Sequence, residues 1–194
     1  MKIVYTPSVV KAFSATVYTT ARLVPSPLIT IGNDSIVDDF CFLYGDLTIG
    51  NFVHIAIGAS IVGRVVLEDF SSISGGVRVY AADEDTNGLT NPCVPAPFRV
   101  AKREPVTICK HAIIGANSVV LPGVTIGMGA IVGALSLVKT DLEPWGIYVG
   151  APVRKIGERK RELVLESEAR FMAWAYRDGV YVPKDKRGPV PEGV

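Results

Sequence analysis

Most of the acid–base chemistry open to this chain at neutral pH rests with two histidines and one short acidic run. A neutral imidazole accepts a proton from an attacking amine or hydroxyl near pH 7, so His54 and His111 are the candidate general bases. Asp83, Glu84 and Asp85 stand together in AADEDTNG. Carboxylates there could hold a protonated amine or orient hydroxyl groups, or form a solvated loop with no role. Asn87, Thr90 and Asn91 follow; hydrogen bonding to a ligand and turn formation account for them equally well. The three cysteines do not pair off evenly and read as reduced thiols, the usage of a cytoplasmic protein.

What positions these side chains is a six-residue repeat. An aliphatic residue returns at every sixth position through Ile31, Val37, Leu43, Ile49, Ile55, Ile61, Leu67, Ile73 and Val79. It resumes at Ile108, Ile114, Val120, Ile126, Val132 and Val138. Neither the helical period nor the strand period matches this spacing, whereas a parallel β-helix of hexapeptides does. Each hexad supplies a short strand and a turn, and three hexads close a triangular coil. The residue two before each aliphatic also points inward and is small or β-branched, as in Ser35, Cys41, Val53, Ala59 and Ser118. Glycine often follows the aliphatic and suits a tight corner.

Register separates the two histidines. His111 falls at a corner position shared with Asp34, Asp46, Asn117 and Gly129, and is expected to point to solvent as a surface turn residue. His54 lies between inward Val53 and Ile55, so it faces outward from a flat strand. Ile36 and Ser72 should stand one coil away in its column, about 4.8 Å off on either side. That flat face suits a neighbouring subunit, and His54 is either a general base or an ordinary interface histidine.

The repeat breaks over residues 81–105, which are polar and irregular; a long loop thrown from a regular solenoid is usually functional. The coils are expected to end near Thr140. Residues from about Glu158 to Arg177 read as one helix, with Leu163, Leu165, Phe171, Met172 and Trp174 as packing candidates and Gly179 as its stop. A helix there would cap the solenoid, and the Pro- and charge-rich tail after it is expected to fray. The expected organisation is thus a β-helix domain over residues 1–156 with loop 81–105 extruded, and a C-terminal helix and tail over 157–194. Net charge is +1, which points to neither nucleic acid nor an anionic membrane. Mean hydropathy is +0.33, yet the hexad register runs straight through the uncharged stretch from Ala112 to Val138, so that stretch is solenoid core and not a membrane span. The start, MKIVYTPSVVKAF, lacks the uninterrupted apolar core of a signal peptide.

The run IGANSVVLPGVTIGMGAIVGALSLVKTDLEPWGIYVGAPVRKI resembles the C-terminal signature of the left-handed β-helix, hexapeptide-repeat acyltransferases. IGNFVHIAIGAS, LEDFSSISGGVRVY and LTNPCVP are similar to a narrower group, the sugar acetyltransferases of bacterial surface-polysaccharide biosynthesis. The resemblance spans roughly residues 28–156. It implies an all-β, left-handed parallel β-helix with an extended loop and a C-terminal α-helix. It also implies a homotrimer that binds acetyl-CoA between neighbouring coils and passes the acetyl group to a sugar or nucleotide-sugar acceptor, with a histidine as base and no metal.

Carried onto this chain, the resemblance places Lys139, Arg154 and Lys155 at the phosphates of the cofactor. Small residues Gly115, Ala116, Gly133 and Ala134 would line the pantetheine strip, where coil packing explains them equally. The histidine positions used by two branches of the family are not histidine here. One falls in AADEDTNG and the other on Gly45, followed by Asp46. His54 must then serve as base, or a carboxylate such as Asp83 must, with Asp46, Ser72, Glu84 and Asp85 beside the acceptor. A γ-class carbonic anhydrase shares the coil but needs three histidines on zinc. A non-catalytic scaffold and an antibiotic acetyltransferase are the remaining alternatives, and the acceptor atom, nitrogen or oxygen, stays open.

Overall fold

The aliphatic repeat builds the interior of a coil. In a computed structural model, which describes residues 8–84, 93–98 and 101–190, the residues of the aliphatic series, from Ile31 to Val138, are buried. The small inward residues, from Ser35 to Ser136, are buried as well. Both sets point inward because strand side chains alternate and each hexad is too short to twist out of register. The backbone groups pair coil to coil as parallel strands: Ile36 with His54, His54 with Ser72, Ile113 with Ile131. The chain is the left-handed parallel β-helix implied by the repeat and its resemblance.

The coil has three faces. Face one carries Phe42–Gly45 in one coil and the equivalent residues above and below it; face two carries Asp46–Ile49; face three carries the two-residue strands such as His54–Ile55. Faces one and two are joined by continuous strands, Phe42–Ile49 and Ser60–Leu67, which bend at Gly45 and Gly63. Both glycines have positive φ, 127° and 102°. A Cβ on Gly45 would lie 2.1 Å from the Gly63 carbonyl oxygen, so coil stacking itself demands glycine there. The other two corners are turns with a left-handed residue, among them Asp34, Phe52, Phe70, His111 and Asn117. Asp46 departs from its expected turn position, because it sits inside a continuous strand.

Coils begin earlier and end later than the strong repeat. Ser8–Lys11 already pairs with residues 28–31, and Ile147 and Tyr148 still extend face three beyond Thr140. Gly146–Gly150 then folds back on Val153–Glu158 as an antiparallel pair. The interruption leaves after Tyr80. Its root is a second antiparallel pair, Ala82–Glu84 with Ala101–Arg103, and the coil resumes at Val106.

The chain divides into two compact units, one up to Glu158 and one from Arg159. The second holds a helix, Arg161–Ala175. Of the packing candidates, Leu163 and Leu165 are exposed, while Phe171 and Trp174 meet at 6.0 Å. The helix does not stop at Gly179. It ends before a hairpin that pairs Tyr176 with Tyr181, and Asp178 and Gly179 make its turn with positive φ. The tail, expected to fray, instead packs within this unit as far as Pro189. Arg187 lies over the rings of Trp174 (5.0 Å) and Tyr181 (5.1 Å), and Trp174 Nε1 donates to the carbonyls of Gly188 and Pro189.

Candidate active site

His54 sits on face three with Ile36 below it and Ser72 above, as its register requires. Its side chain is 48% exposed, and Nε2 lies 3.0 Å from Asp38 Oδ2. The N–H on that nitrogen donates to the carboxylate, which leaves Nδ1 of a neutral ring with the lone pair that takes up a proton. Asp38 escaped the sequence reading. Its signal was its place just after the face-three strand of the coil below, two residues past the column mate of His54.

His111 has the corner conformation expected of it, with φ 61°, but it does not point to solvent. It is buried, and its ring stacks on Phe70 at 5.1 Å and approaches Trp145 at 6.5 Å. Phe52 stacks on Phe70 at 4.9 Å, so one corner carries an aromatic ladder from coil to coil. The same left-handed turn repeated at each level aims successive side chains along the coil axis, where large rings cover one another.

The extruded segment leaves at the corner between faces one and two, which lies opposite face three. Within one chain, therefore, the fold does not bring His54 and Ser72 together with Asp83 and Glu84. The backbone of Asp83 pairs with Lys102 and that of Glu84 with Ala101. Asp85, Asn87, Thr90 and Asn91 lie outside the described residues.

At the root of this segment is a cleft of about 400 Å³. Its wall is the glycine bend, with Tyr44, Gly45, Asp46 and Arg64. Below, the chain bulges at Ser26 and Pro27, where pairing with the next coil shifts between Pro25 and Ile29. Above stand Ala82 and Arg103, paired across the root of the extruded segment. Asp46 and Arg64 are column mates, and Asp46 Oδ2 lies 3.5 Å from Arg64 Nε. Arg64 and Arg103 also escaped the sequence reading, although Arg64 is legible as the residue one coil above Asp46.

The predicted cofactor residues occupy the last coils. Gly115 is required by packing, since a Cβ there would lie 2.5 Å from Ala134 N, whereas a Cβ on Gly133 would press only on the Val149 side chain, 2.7 Å from Cγ1. Ala116 and Ala134 sit beside them at the corner between faces three and one, Ala134 exposed. Lys139 follows the last face-one strand, Leu137–Val138, whereas Arg154 and Lys155 lie on the returning strand Val153–Glu158. Lys155 is already engaged, at 3.0 Å from Glu143 and 3.2 Å from Glu158. Its hydrogen bond to Glu143, then that to Glu158, push its ammonium above the ordinary lysine value. Among the described residues no ion pair holds Lys139 or Arg154, so these two cations are available to an anion. The described residues include no group of three side chains able to hold a metal ion, and no helix among them is long and apolar enough to cross a membrane.

Residues 105–140 match the family model described as bacterial transferase hexapeptide (six repeats). The dTDP-4-amino-4,6-dideoxy-D-glucose acyltransferase of Escherichia coli is 40% identical over 159 residues, covering 78% of this chain and 82% of that protein. A chloramphenicol acetyltransferase of Klebsiella aerogenes is 41% identical over 130 residues, covering 59% of this chain and 61% of that protein. Among solved structures, a variant of AntD, an N-acyltransferase from Bacillus cereus, superposes with a TM-score of 0.79 at 41% identity, covering 85% of this chain and 90% of that one. That crystal holds dTDP-4-amino-4,6-dideoxyglucose and coenzyme A. A second AntD structure, with dTDP and 3-hydroxybutyryl-CoA, has a TM-score of 0.78 at 41% identity, over 85% and 89% of the two chains.

Proposed function

The chain belongs to the bacterial hexapeptide-repeat acyltransferases, and from that premise we propose that it transfers an acyl group, acetyl or a close homologue, from coenzyme A to the amine of a nucleotide-linked amino sugar. The observation that supports this reading is the chain-long likeness to AntD, crystallised with an amino-sugar nucleotide and coenzyme A together. The chloramphenicol acetyltransferase likeness covers a smaller share of the chain and weighs less.

In this reading the working unit is a homotrimer in the cytoplasm. His54 and the extruded segment stand on opposite sides of one coil, so a complete site needs the face three of one subunit beside the extruded segment of the next. His54 acts as base, held by Asp38. The amine nitrogen attacks the thioester carbonyl carbon and His54 Nδ1 takes the proton. The carbon–sulfur bond then breaks, and the coenzyme leaves as a thiolate that the same proton can neutralise. Ser72, next in the column, faces the same site. Asp83 and the acids after it hold the acceptor from the neighbouring subunit. Lys139 and Arg154 bind the cofactor phosphates, each charge-assisted contact worth about 1.5–3 kcal/mol.

The test incubates pure protein with acetyl-CoA and dTDP-4-amino-4,6-dideoxyglucose and follows thiol release and the mass of the sugar nucleotide. Acylation of the amine is expected. Transfer to an unlinked glycan or to chloramphenicol, with none to the sugar nucleotide, would replace this acceptor class. Light scattering at micromolar concentration is expected to give a trimer, and a monomer with full activity would overturn the shared site.

A further inference from the structure

We infer that the cleft at the glycine bend is the anchor for the acceptor's nucleoside diphosphate, with Arg64 and Arg103 on the phosphates and Tyr44 against the base. The inference rests on the acceptor class proposed above and assigns it a place that neither the repeat nor His54 supplies.

Four observations carry it. First, the cleft is built by the fold and is not a gap between loops. The glycine bend forms one wall, with Gly45 and Gly63 among the residues that line it. The bulge at Ser26 and Pro27 forms a floor, and the root of the extruded segment forms a roof. Its volume of about 400 Å³ is within the range of small-molecule sites.

Second, its charge suits a diphosphate. Asp46, Arg64 and Arg103 are the ionised side chains that line it, two cations to one anion. Asp46 Oδ2 faces Arg64 Nε at 3.5 Å, which leaves the terminal nitrogens of that guanidinium to donate elsewhere. Arg103 comes from a different element, paired with Ala82 across the root. Two guanidinium groups on separate walls of one cleft match two linked phosphates better than a single anion.

Third, Tyr44 gives the cleft an aromatic edge. It is 43% exposed, and its ring runs nearly parallel to that of Phe42, 6.3 Å away at 8°. A half-exposed ring beside a phosphate site is a stacking surface for a nucleobase.

Fourth, the extruded segment begins at the roof of this cleft, with Ala82 and Arg103 in its first rungs. A sugar attached to phosphates held there is presented at the start of that segment, on the side where the trimer reading requires a neighbouring face three.

The experiment measures binding of dTDP and of inorganic pyrophosphate by calorimetry, with coenzyme A as a control, on the intact protein and on Arg64→Gln, Arg103→Gln and Tyr44→Ala. Each arginine variant is expected to weaken dTDP and pyrophosphate about tenfold, and the loss should shrink as salt rises. Tyr44→Ala should weaken dTDP about tenfold and leave pyrophosphate unchanged. Coenzyme A affinity should hold in all three, which also shows that the variants fold. If the wild type binds dTDP and both arginine variants bind it equally well, the cleft is not the anchor and the acceptor class still stands. If the wild type acylates an unlinked amino sugar and binds no dTDP, the acceptor class fails and the anchor fails with it.

Discussion

The two histidines belong to the same aliphatic repeat, one just before its aliphatic residue and one midway between two of them, and have opposite surroundings. His54 is on a flat face, half exposed and 3.0 Å from a carboxylate. His111 is in a left-handed corner, buried between Phe70 and Trp145. The difference is a matter of phase within the hexad. A residue one place before the aliphatic is turned outward from a strand, where a ligand or a neighbouring chain can reach it. A residue at the corner is repeated at each level and is spent on stacking. An imidazole in the first setting can exchange protons with a substrate, whereas in the second it serves as a flat ring.

The sharpest way to break this contrast is to remove the imidazoles one at a time. His54→Asn is expected to lower kcat by about 10²–10⁴-fold, the usual contribution of a general base, while coenzyme A binding and assembly persist. Steady-state kinetics beside calorimetry checks this, and an unchanged kcat would leave a carboxylate such as Asp83 as the base. A loss near the top of the range would favour a hydroxyl acceptor, which needs help at attack, and one near the bottom an amine.

His111→Ala should leave kcat alone and lower unfolding stability by about 2–3 kcal/mol through the gap opened in the ladder. His111→Phe should recover most of that loss in denaturant melts, because phenylalanine already holds this corner at Phe52 and Phe70. A large kcat loss in His111→Phe with stability intact would reverse the assignment of the two histidines.

Asp38→Asn tests whether the face-three histidine is tuned by its partner. The expected loss is about tenfold in kcat, the worth of one charge-assisted hydrogen bond at a half-exposed site. A change in KM alone, with kcat intact, would reduce Asp38 to a structural neighbour.

The smallest effect concerns the thiols. Burial pushes the Cys41 thiol up, with the Asp38 charge adding to it, and burial followed by the Glu68 charge does the same for Cys109. A raised thiol value means less thiolate at a given pH, so both should react slowly with iodoacetamide at pH 8. Cys93, which is exposed, should be modified first. Peptide mass mapping over time reads the order, and early modification of Cys41 would mean the coil opens locally.

Much of this molecule was legible in one dimension. The hexad phase alone placed Val53 and Ile55 inside, His54 outside and Ser72 in its column, because inward and outward alternation is a property of each strand and coil stacking repeats it. The register lapses after Tyr80 and returns at Val106, where one coil strand ends and the next begins. The end of the coils was less legible. Ile147 and Tyr148 extend face three after the strong repeat has lapsed, since pairing to the coil below can hold a strand that the hexad no longer marks.

What the sequence determined by itself was the coil, its register and the identity of the exposed histidine, all of which follow from the order of apolar and small residues along a repeating unit. What only the tertiary structure decided was which side chains meet across coils. Asp38 reaches His54, Arg64 reaches Asp46, Arg103 is carried over the glycine bend, and His111 is enclosed by the rings of Phe70 on one side and Trp145 on the other. Those meetings depend on where the corners turn and on which backbone can bend without a Cβ. Such properties belong to stacked coils, and no single hexad contains them.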